Sequence, residues 1–304
     1  MTTILTGASG FIGAGVAKVL QARGDDVVVI GRTPIKGLGF RPLDLLHDDP
    51  RPLLHALAPS RLVHLAWNPD RATLWNGVEN LAWVAATLKL VLAFQEVGGV
   101  RAVVAGSSAE YDWSYELLDE LATPLRPHSG YGIAKRAIYE MLSNTPALAP
   151  LSIGWARIFF PFGPHDKPDR LLSQVVDGVA AGLPVALSSG RQVRPFIHVD
   201  DAAAALVGLL DSAVEGPVNI ALDETISVRD LTLIAAAQAG DAALLHFGDR
   251  PLQAGEPQVM RAAVTRLTNE VGFRPKYSIR EGVVAAVAAR RGRMAGEASY
   301  EQVR

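Results

Sequence analysis

Two groups of residues in this 304-residue chain have side chains and a spacing suited to proton transfer. Tyr131 and Lys135 are four residues apart, so on a helix they share one face about one turn apart. A free tyrosine has a pKa of about 10, and a neighbouring lysine ammonium lowers that pKa because it stabilises the phenolate. Ser107 and Ser108 follow an apolar run, and Ser108 stands 23 residues before Tyr131. These residues could hold an oxygen atom of a substrate and exchange a proton with it.

A glycine-rich turn lies near the start of the chain. Residues 4–5 are apolar, as in a buried parallel strand, and helical periodicity begins after Gly13. Glycines let backbone N–H groups approach a diphosphate, and the following helix faces that anion with its positive dipole end. A lone glycine triplet is weak evidence, but its position directly after a strand predicts dinucleotide binding. The residues predicted to hold the cofactor here are Gly7, Ser9, Gly10, Phe11, Ile12 and Gly13.

The second predicted strand, residues 27–30, ends in Gly31, Arg32 and Thr33. An acidic residue near this position would hold the adenosine ribose hydroxyls and favour NAD. Arg32 can instead pair with a 2′-phosphate, and Thr33 can add a hydroxyl contact. The pattern predicts NADP as the cofactor, with NAD as the alternative if Arg32 is only a solvent-facing loop residue.

Composition limits the class of protein. The formal net charge of −2 argues against nucleic acid as a partner, and a hydrophobic content of 49 % suffices for a sizeable core. The absence of cysteine excludes disulfides, thiolate metal sites and a cysteine nucleophile. No apolar run reaches the roughly 18 residues of a membrane span, and the glycine turn leaves no room for a secretory signal before it. We expect a soluble cytoplasmic enzyme with no membrane partner and no metal site.

Predicted strands and helices alternate along the first half of the chain. Helical periodicity covers residues 74–97, and apolar runs predict further strands at residues 40–44, 61–66, 100–105 and 151–159. This alternation predicts an α/β fold with a Rossmann-type doubly wound parallel sheet. We expect a dinucleotide-binding domain over residues 1–160, with strand and helix returns from the second half, and a smaller α/β substrate-binding lobe over residues 161–304.

The order of these motifs resembles that of the extended short-chain dehydrogenase/reductase family, whose members work on nucleotide sugars. The resemblance covers residues 3–290 and rests on GxxGxxG, the Ser-Ser pair, YxxxK and the string RQVRPFIHVDD at residues 191–201. It implies that Ser108 holds the substrate oxygen and that Tyr131 moves the proton. It also implies that Tyr131 and Lys135 contact the cofactor, where Lys135 holds the ribose and tunes Tyr131.

Other site residues are implied by the resemblance alone. Asp44 and Leu45 match a pair that lies against the adenine ring, although Asp44 could equally cap the segment that follows it. Leu65 and Ala66 match residues beside the cofactor diphosphate and ribose. Arg194 matches an arginine that contacts the diphosphate of the nucleotide sugar, which a guanidinium recognises well.

Several residues depart from the family pattern or suit a structural role. Trp67 replaces a small residue and is expected to narrow the cleft. Phe160 and Phe162 replace an asparagine and a tyrosine, so those two polar roles are not carried over. His64 lies in an apolar run and is expected to be a satisfied core histidine, and Arg157 is expected to form a structural ion pair.

The residues after Ser108 favour one reaction. The 4,6-dehydratases of the family carry an adjacent Asp-Glu pair here, whereas this chain has Ala109 before a single glutamate, Glu110, so dehydration is disfavoured. The string GSSAEYDW resembles that of reductases acting on nucleotide-linked 4-keto-6-deoxysugars. We expect NADPH-dependent reduction of such a ketone, with Tyr131 as proton donor and Ser108 on the carbonyl oxygen. Glu110 is expected to orient the sugar or to act as an auxiliary acid.

Two alternative functions stay open at this point. An NAD-dependent nucleotide-sugar epimerase would retain its cofactor, and a non-catalytic NADP-binding sensor would bind without turnover. The complete set of Ser108, Tyr131 and Lys135 argues against the sensor. Because family members commonly dimerise through two long helices, here residues 74–97 and 131–142, we also expect a homodimer.

Overall fold

The computed structural model describes residues 1–68, 70–252 and 255–301 of the chain. The chain divides into two compact units. The first unit consists of Met1–Phe159, Ala202–Ile220 and Ala263–Arg274, and the second of Phe160–Asp201, Ala221–Ala262 and Pro275–Arg304. Each unit is therefore discontinuous in sequence.

A seven-stranded parallel sheet forms the centre of the first unit. Its strands are β1 (Thr3–Thr6), β2 (Val27–Gly31), β3 (Gly39–Pro42), β4 (Arg61–His64), β5 (Arg101–Ser107), β6 (Ser152–Ile158) and β7 (Gly216–Ile220). Their spatial order is β7-β6-β5-β4-β1-β2-β3, and each neighbouring pair is parallel. The strand order reverses at β1, as in a doubly wound Rossmann-type sheet, which confirms the predicted fold class.

The helices, in chain order, are α1 (Phe11–Ala22), α2 (Arg51–Leu57), α3 (Arg71–Leu74), α4 (Glu79–Glu96), α5 (Gly130–Asn144), α6 (Leu171–Ala180), α7 (Val199–Asp211), α8 (Val228–Ala239) and α9 (Ile279–Glu301). All four residues of β1 are buried, which is typical of a strand in a sheet that is covered by helices on both faces. Strand side chains and the apolar faces of α4 and α5 share one core, which includes Ile4, Leu62, Val104, Leu90, Phe94, Ile138 and Leu142.

The helix predicted over residues 74–97 is interrupted. Helix α3 ends at Leu74, and α4 begins only at Glu79. The residues between them face the start of α5 instead: Trp75 O accepts a hydrogen bond from Tyr131 N at 2.9 Å, and Asn76 Oδ1 accepts one from Gly130 N at 3.0 Å. The interruption therefore supplies acceptors for N–H groups that the first turn of α5 leaves without an intrahelical partner.

The second unit is built on α6, α8 and α9 with pairs of short strands. Val185–Leu187 pairs in parallel with Leu245–Phe247, and Pro161–Phe162 pairs in parallel with Ile197–His198. Val193–Arg194 pairs antiparallel with Ile226–Ser227. Helix α8 packs against both α6 and α9. Across both units, none of the helices in the described ranges has the length and apolar character needed to cross a bilayer.

Candidate active site

Helix α5 carries Tyr131 in its first turn and Lys135 one turn later. The helix begins after Ser129, whose hydroxyl accepts a hydrogen bond from Gly132 N at 3.1 Å, a standard N-cap. Tyr131 is half-buried, whereas Lys135 is only 3 % exposed. The spacing of four residues thus places both side chains on the face of α5 directed toward the protein interior.

Strand β5 delivers Ser107 and Ser108 to the carboxyl edge of the sheet. A short 3₁₀ turn, Ser108–Glu110, follows the strand and is fixed by a reciprocal cap. Ser107 Oγ accepts from Ala109 N at 3.2 Å, and Glu110 Oε1 accepts from Ser107 N at 2.7 Å. Ser108 is 7 % exposed, so the turn holds its side chain at an edge where open parallel sheets bind ligands.

Helix α5 packs directly on this turn. Gly132 lies so close to it that a Cβ atom on this glycine would come within 2.2 Å of Ala109 O. Lys135 Nζ donates to Ala105 O, in β5, at 2.8 Å. These two contacts bring Ser108, Tyr131 and Lys135, the three predicted catalytic residues, onto two elements that touch each other.

The environment of Lys135 sets its charge. Its Nζ lies 3.7 Å from the centroid of the Trp67 ring, a cation–π contact. Burial lowers the pKa of Lys135 to about 7, while the negative charge of Glu110 acts in the opposite direction. Lys135 therefore loses its proton much more readily than a solvent-exposed lysine does.

The glycine turn after β1 is built for close backbone approach. Gly7 has φ +73°, and a Cβ atom there would meet the backbone of Leu65 and Ala66 at 2.6 Å. At Gly13 a Cβ atom would lie 2.0 Å from Gly7 O. Gly10 is the N-cap of α1 and makes no side-chain cap hydrogen bond. The turn, the residues after β4 and the start of α1 therefore form one backbone cradle, and its binding of a diphosphate stays a prediction.

The predicted adenosine-side residues follow β2 and β3. Arg32 and Thr33 are exposed after the last residue of β2. Asp44 Oδ1 accepts from Leu46 N at 3.0 Å, so this carboxylate caps a turn, the structural alternative considered for it. Leu45 is 6 % exposed and packs in the core. The cofactor contacts of these four residues stay predictions.

The expectation for Glu110 is corrected. Its side chain is fully buried, and its carboxylate accepts from Trp155 Nε1 at 3.0 Å and from Arg157 Nε at 2.8 Å in addition to Ser107 N. A carboxylate with these partners is part of the core beneath the turn and has no face left to orient a sugar. The same contact makes Arg157 a buried ion-pair residue, as predicted.

Arg194 lies in the second unit, where its guanidinium forms an ion pair with Glu256. It is 3 % exposed, and its Nη2 donates to Glu256 Oε1 at 2.9 Å and to Pro257 O at 2.7 Å. Contact with a diphosphate would require the anion to share or replace Glu256. This predicted role stays a prediction.

Two polar residues of the core have structural partners. His64 is 1 % exposed, with Nδ1 2.7 Å from Thr6 Oγ1 and Nε2 3.0 Å from Thr87 Oγ1. It is a satisfied core histidine, as predicted. Asn80 accepts from Trp67 Nε1 at 3.1 Å and donates to Leu74 O at 2.9 Å, so it fixes the Trp67 ring relative to the interruption before α4.

Two tryptophans contact Tyr131; the sequence predicted that Trp67 narrows the cleft, but it did not relate Trp75 to the site. The Tyr131 ring makes edge contacts with Trp67 and Trp75, each at a centroid distance of 5.9 Å. Trp75 in turn contacts Trp113 at 6.5 Å. Trp113 ends the string GSSAEYDW, but no local signal in the sequence relates Trp75 to Tyr131, because the two residues meet only through the interruption before α4.

A doubly wound parallel sheet and a glycine cradle after its first strand are the features of a Rossmann-type dinucleotide-binding protein. A profile of the NAD dependent epimerase/dehydratase family matches residues 3–221, and the chain belongs to this family.

Relatives within the family act on nucleotide sugars. The chain is 26 % identical to UDP-glucuronic acid decarboxylase 1 of Arabidopsis thaliana over 97 % of its own length and 71 % of that protein. Its structure is similar to that of MoeE5 in complex with UDP-glucose and NAD, with TM-score 0.82, 27 % identity and coverage of 97 % and 100 % of the two chains. It is also similar to the UDP-glucose 4-epimerase of Thermus thermophilus in complex with NAD, with TM-score 0.84, 25 % identity and coverage of 96 % and 99 %.

Proposed function

We propose that this protein is a nucleotide-sugar oxidoreductase that reduces a ketone on the sugar with NADPH. The observation that carries the proposal is the packing of α5 on the turn after β5, which joins the elements of Ser108, Tyr131 and Lys135. The relatives support the wider class, because one is a decarboxylase and another an epimerase of UDP-sugars. The choice of ketone reduction is our inference from residues of this chain.

The residues present fit a dinucleotide. Gly7 and Gly13 leave no space for a Cβ atom, so only glycine permits this backbone cradle, and α1 begins there with no side-chain cap. N–H groups at such a helix start suit a diphosphate. Residues 7–13 would hold the diphosphate, Leu65 and Ala66 would border it, and Lys135 would hold the nicotinamide ribose.

Ser108, Tyr131 and Lys135 would divide the work on the sugar. A bound nicotinamide supplies the hydride in a reduction and accepts it in an oxidation. Ser108 would donate a hydrogen bond to the carbonyl oxygen, and Tyr131 would give that oxygen its proton. The Lys135 ammonium would lower the pKa of Tyr131 because it stabilises the phenolate left behind.

The end of β2 supports NADP. Arg32 and Thr33 are exposed there, and the position that would carry an acidic residue for the ribose hydroxyls of NAD carries Arg32 instead. A guanidinium would bind a 2′-phosphate through two parallel hydrogen bonds, in a bidentate arrangement. Net reduction suits this cofactor, whereas NAD remains the cofactor expected for the second candidate.

Epimerisation is the second candidate function. It is favoured by the similarity to the Thermus thermophilus epimerase, whose structure holds NAD. Dehydration is disfavoured, since Ala109 precedes Glu110 and the Glu110 carboxylate is buried against Arg157 and Trp155. A preparation that retains NAD and interconverts two sugars without net redox change would favour the epimerase over the reductase.

The decisive test of the catalytic assignment is Tyr131→Phe. We expect this variant to lose at least about a hundredfold in turnover with nucleotide-linked ketosugars while it binds NADPH nearly as tightly as the wild type. Turnover close to that of the wild type would overturn the mechanism. Binding of NADPH by the wild type with no turnover of any nucleotide-linked ketosugar would instead favour a non-catalytic sensor.

A homodimer through α4 and α5 is part of the proposal. The two helices pack together and leave apolar side chains exposed: Leu81 is 74 % exposed, Leu92 40 %, Ile133 56 % and Met141 51 %. Apolar side chains on neighbouring helices suit a self-complementary interface. Light scattering of the wild type and of Ile133→Glu checks this, with a dimer and a monomer expected respectively.

A further inference from the structure

Two of the proposed catalytic residues, Ser108 and Tyr131, each form a hydrogen bond with a tryptophan. Trp113 Nε1 donates to Ser108 O at 2.9 Å, and Trp75 O accepts from Tyr131 N at 2.9 Å. The rings of Trp75 and Trp113 meet edge to face at 6.5 Å. The Trp75 ring also contacts the Tyr131 ring at 5.9 Å, so the two indoles form one aromatic surface that contacts both Ser108 and Tyr131.

This surface is available for contact. Trp75 is 36 % exposed, and Trp113 is half-buried. Trp67 differs, because Lys135 Nζ covers its ring, Trp83 stacks on it at 5.9 Å and its Nε1 donates to Asn80. Trp67 is thus committed to internal contacts, whereas Trp75 and Trp113 present aromatic surface beside the catalytic residues.

Two polar oxygen atoms next to the two rings accept hydrogen bonds within the protein. Asn76 Oδ1 accepts from a backbone N–H at the start of α5, and Asp112 Oδ1 accepts from Ser114 N, each at 3.0 Å. The His128 ring tilts against the Trp113 indole, and its Nε2 lies 4.0 Å from Asp112 Oδ1, which is longer than a hydrogen bond. A sugar hydroxyl placed against the two indole rings would lose its hydrogen bonds to water and would contact ring carbon atoms instead. A methyl group or a C–H face at the same place would gain apolar burial instead.

We propose that Trp75 and Trp113 form the platform for the sugar ring of the substrate and select a 6-deoxy sugar over its 6-hydroxy counterpart. This inference rests on the proposed nucleotide-sugar function. The two tryptophans are specificity-determining residues here, and Ser108 and Tyr131 retain the chemistry.

The test is a pair of titrations by calorimetry on the full chain saturated with its nicotinamide nucleotide. UDP and dTDP are titrated first, and the glucose and 6-deoxyglucose esters of whichever nucleotide binds are then compared. We expect the 6-deoxyglucose ester to bind about tenfold more tightly to the wild type, the equivalent of one buried hydroxyl left without a partner. Equal affinity of the two esters would overturn the proposal.

Variants locate the effect. Trp75→Ala should reduce the preference to below about threefold and leave the affinity for the nucleoside diphosphate unchanged; a preserved preference would count against the platform. Trp113→Phe keeps the ring but removes the donor to Ser108 O, so it should keep the preference and lower kcat. Tyr115→Ala is the control, since Tyr115 is 47 % exposed on the same loop and should change neither quantity.

Folding and function are separated by two further comparisons. If the circular dichroism spectrum shows that Trp75→Ala does not fold, Trp75→Phe is tested in its place. If Trp75→Phe keeps the wild-type preference for the 6-deoxyglucose ester, the result supports the platform. If neither nucleoside diphosphate binds the wild type, the nucleotide-sugar function itself fails. If both esters bind equally while Tyr131→Phe abolishes turnover, the function stands and only the platform is lost.

Discussion

Arg157 Nε donates to Glu110 Oε2 across 2.8 Å, and the side chains of the two residues are 1 % and 0 % exposed. The pair joins β6 to the turn that carries Ser108. A Cβ atom on Gly106 would come within 2.5 Å of Glu110 Oε1, so this turn accommodates the buried carboxylate only because residue 106 is glycine. The Ser108 turn is therefore fixed on one side by the buried Arg157–Glu110 ion pair and on another by the packing of α5.

Loss of one member of this pair should cost far more than loss of a surface pair. Arg157→Met leaves the Glu110 carboxylate buried without its guanidinium, and we expect a loss of about 3–5 kcal/mol in the free energy of unfolding. Arg136→Met is the matched control, because Arg136 and Glu140 form an exposed pair at 2.7 Å on α5 whose loss should cost less than about 1 kcal/mol. Urea unfolding of both variants checks the difference, and equal losses would contradict the structural role of Glu110.

The approach of α5 to the Ser108 turn should be equally intolerant of added volume. Gly132→Ala would place Cβ 2.2 Å from Ala109 O, so α5 must move outward and carry Tyr131 away from Ser108. We expect kcat to fall by about a hundredfold, since small displacements of a reacting group are costly. Gly208→Ala in α7 is the control: its Cβ would meet Val271 Cγ1 at an ordinary 3.5 Å, and alanine should stabilise the helix slightly. Wild-type kcat in Gly132→Ala would show that the close contact does not set the geometry.

Whether a structural feature can be predicted from the sequence depends on how close together along the chain the residues that determine it lie. The glycine turn and the Tyr131–Lys135 spacing are short-range patterns, and both elements form where they were predicted. The partner of Glu110 is 47 residues away on another strand, so the sequence could not distinguish a carboxylate in the site from one beneath it. The interruption before α4 was missed because the local periodicity continues through it, while hydrogen bonds to the start of α5 stabilise the interruption.

The buried His64 should make the protein sensitive to acid. Burial, reinforced by the charge of Lys135, lowers the pKa of His64 to about 3, whereas an unfolded chain has the ordinary value of about 6.5. Between these values the unfolded state binds a proton that the folded state does not, so stability falls as pH falls from about 6.5 toward 3, by up to about 1.4 kcal/mol per pH unit. His64→Gln should remove this component from the pH dependence of urea unfolding. The same dependence in variant and wild type would show that His64 is not its source.

The pH profile of turnover should report on Lys135. Because burial lowers the pKa of Lys135 to about 7, its ammonium is lost as pH rises through neutrality, and the support it gives to the Tyr131 phenolate is lost with it. Ketone reduction should therefore decline above about pH 7. In Lys135→Arg the charge persists, so the decline should move upward by at least about one pH unit. An unchanged profile in this variant, with NADPH binding intact, would remove Lys135 as the titrating group.

Cofactor choice should follow Arg32. This residue is exposed after β2, where its guanidinium can meet a 2′-phosphate, and it is far along the chain from the proposed catalytic residues. Arg32→Ala should weaken NADPH binding by about ten- to a hundredfold, the value of one charge-assisted pair, and leave NADH binding almost unchanged. Lys36→Ala on the same loop is the control and should leave the ratio of the two affinities as it is in the wild type. Energy transfer from the five tryptophans to bound NADPH and NADH measures both affinities in one preparation. A wild type that prefers NADH, or that already carries NAD when purified, would favour the epimerase over the reductase.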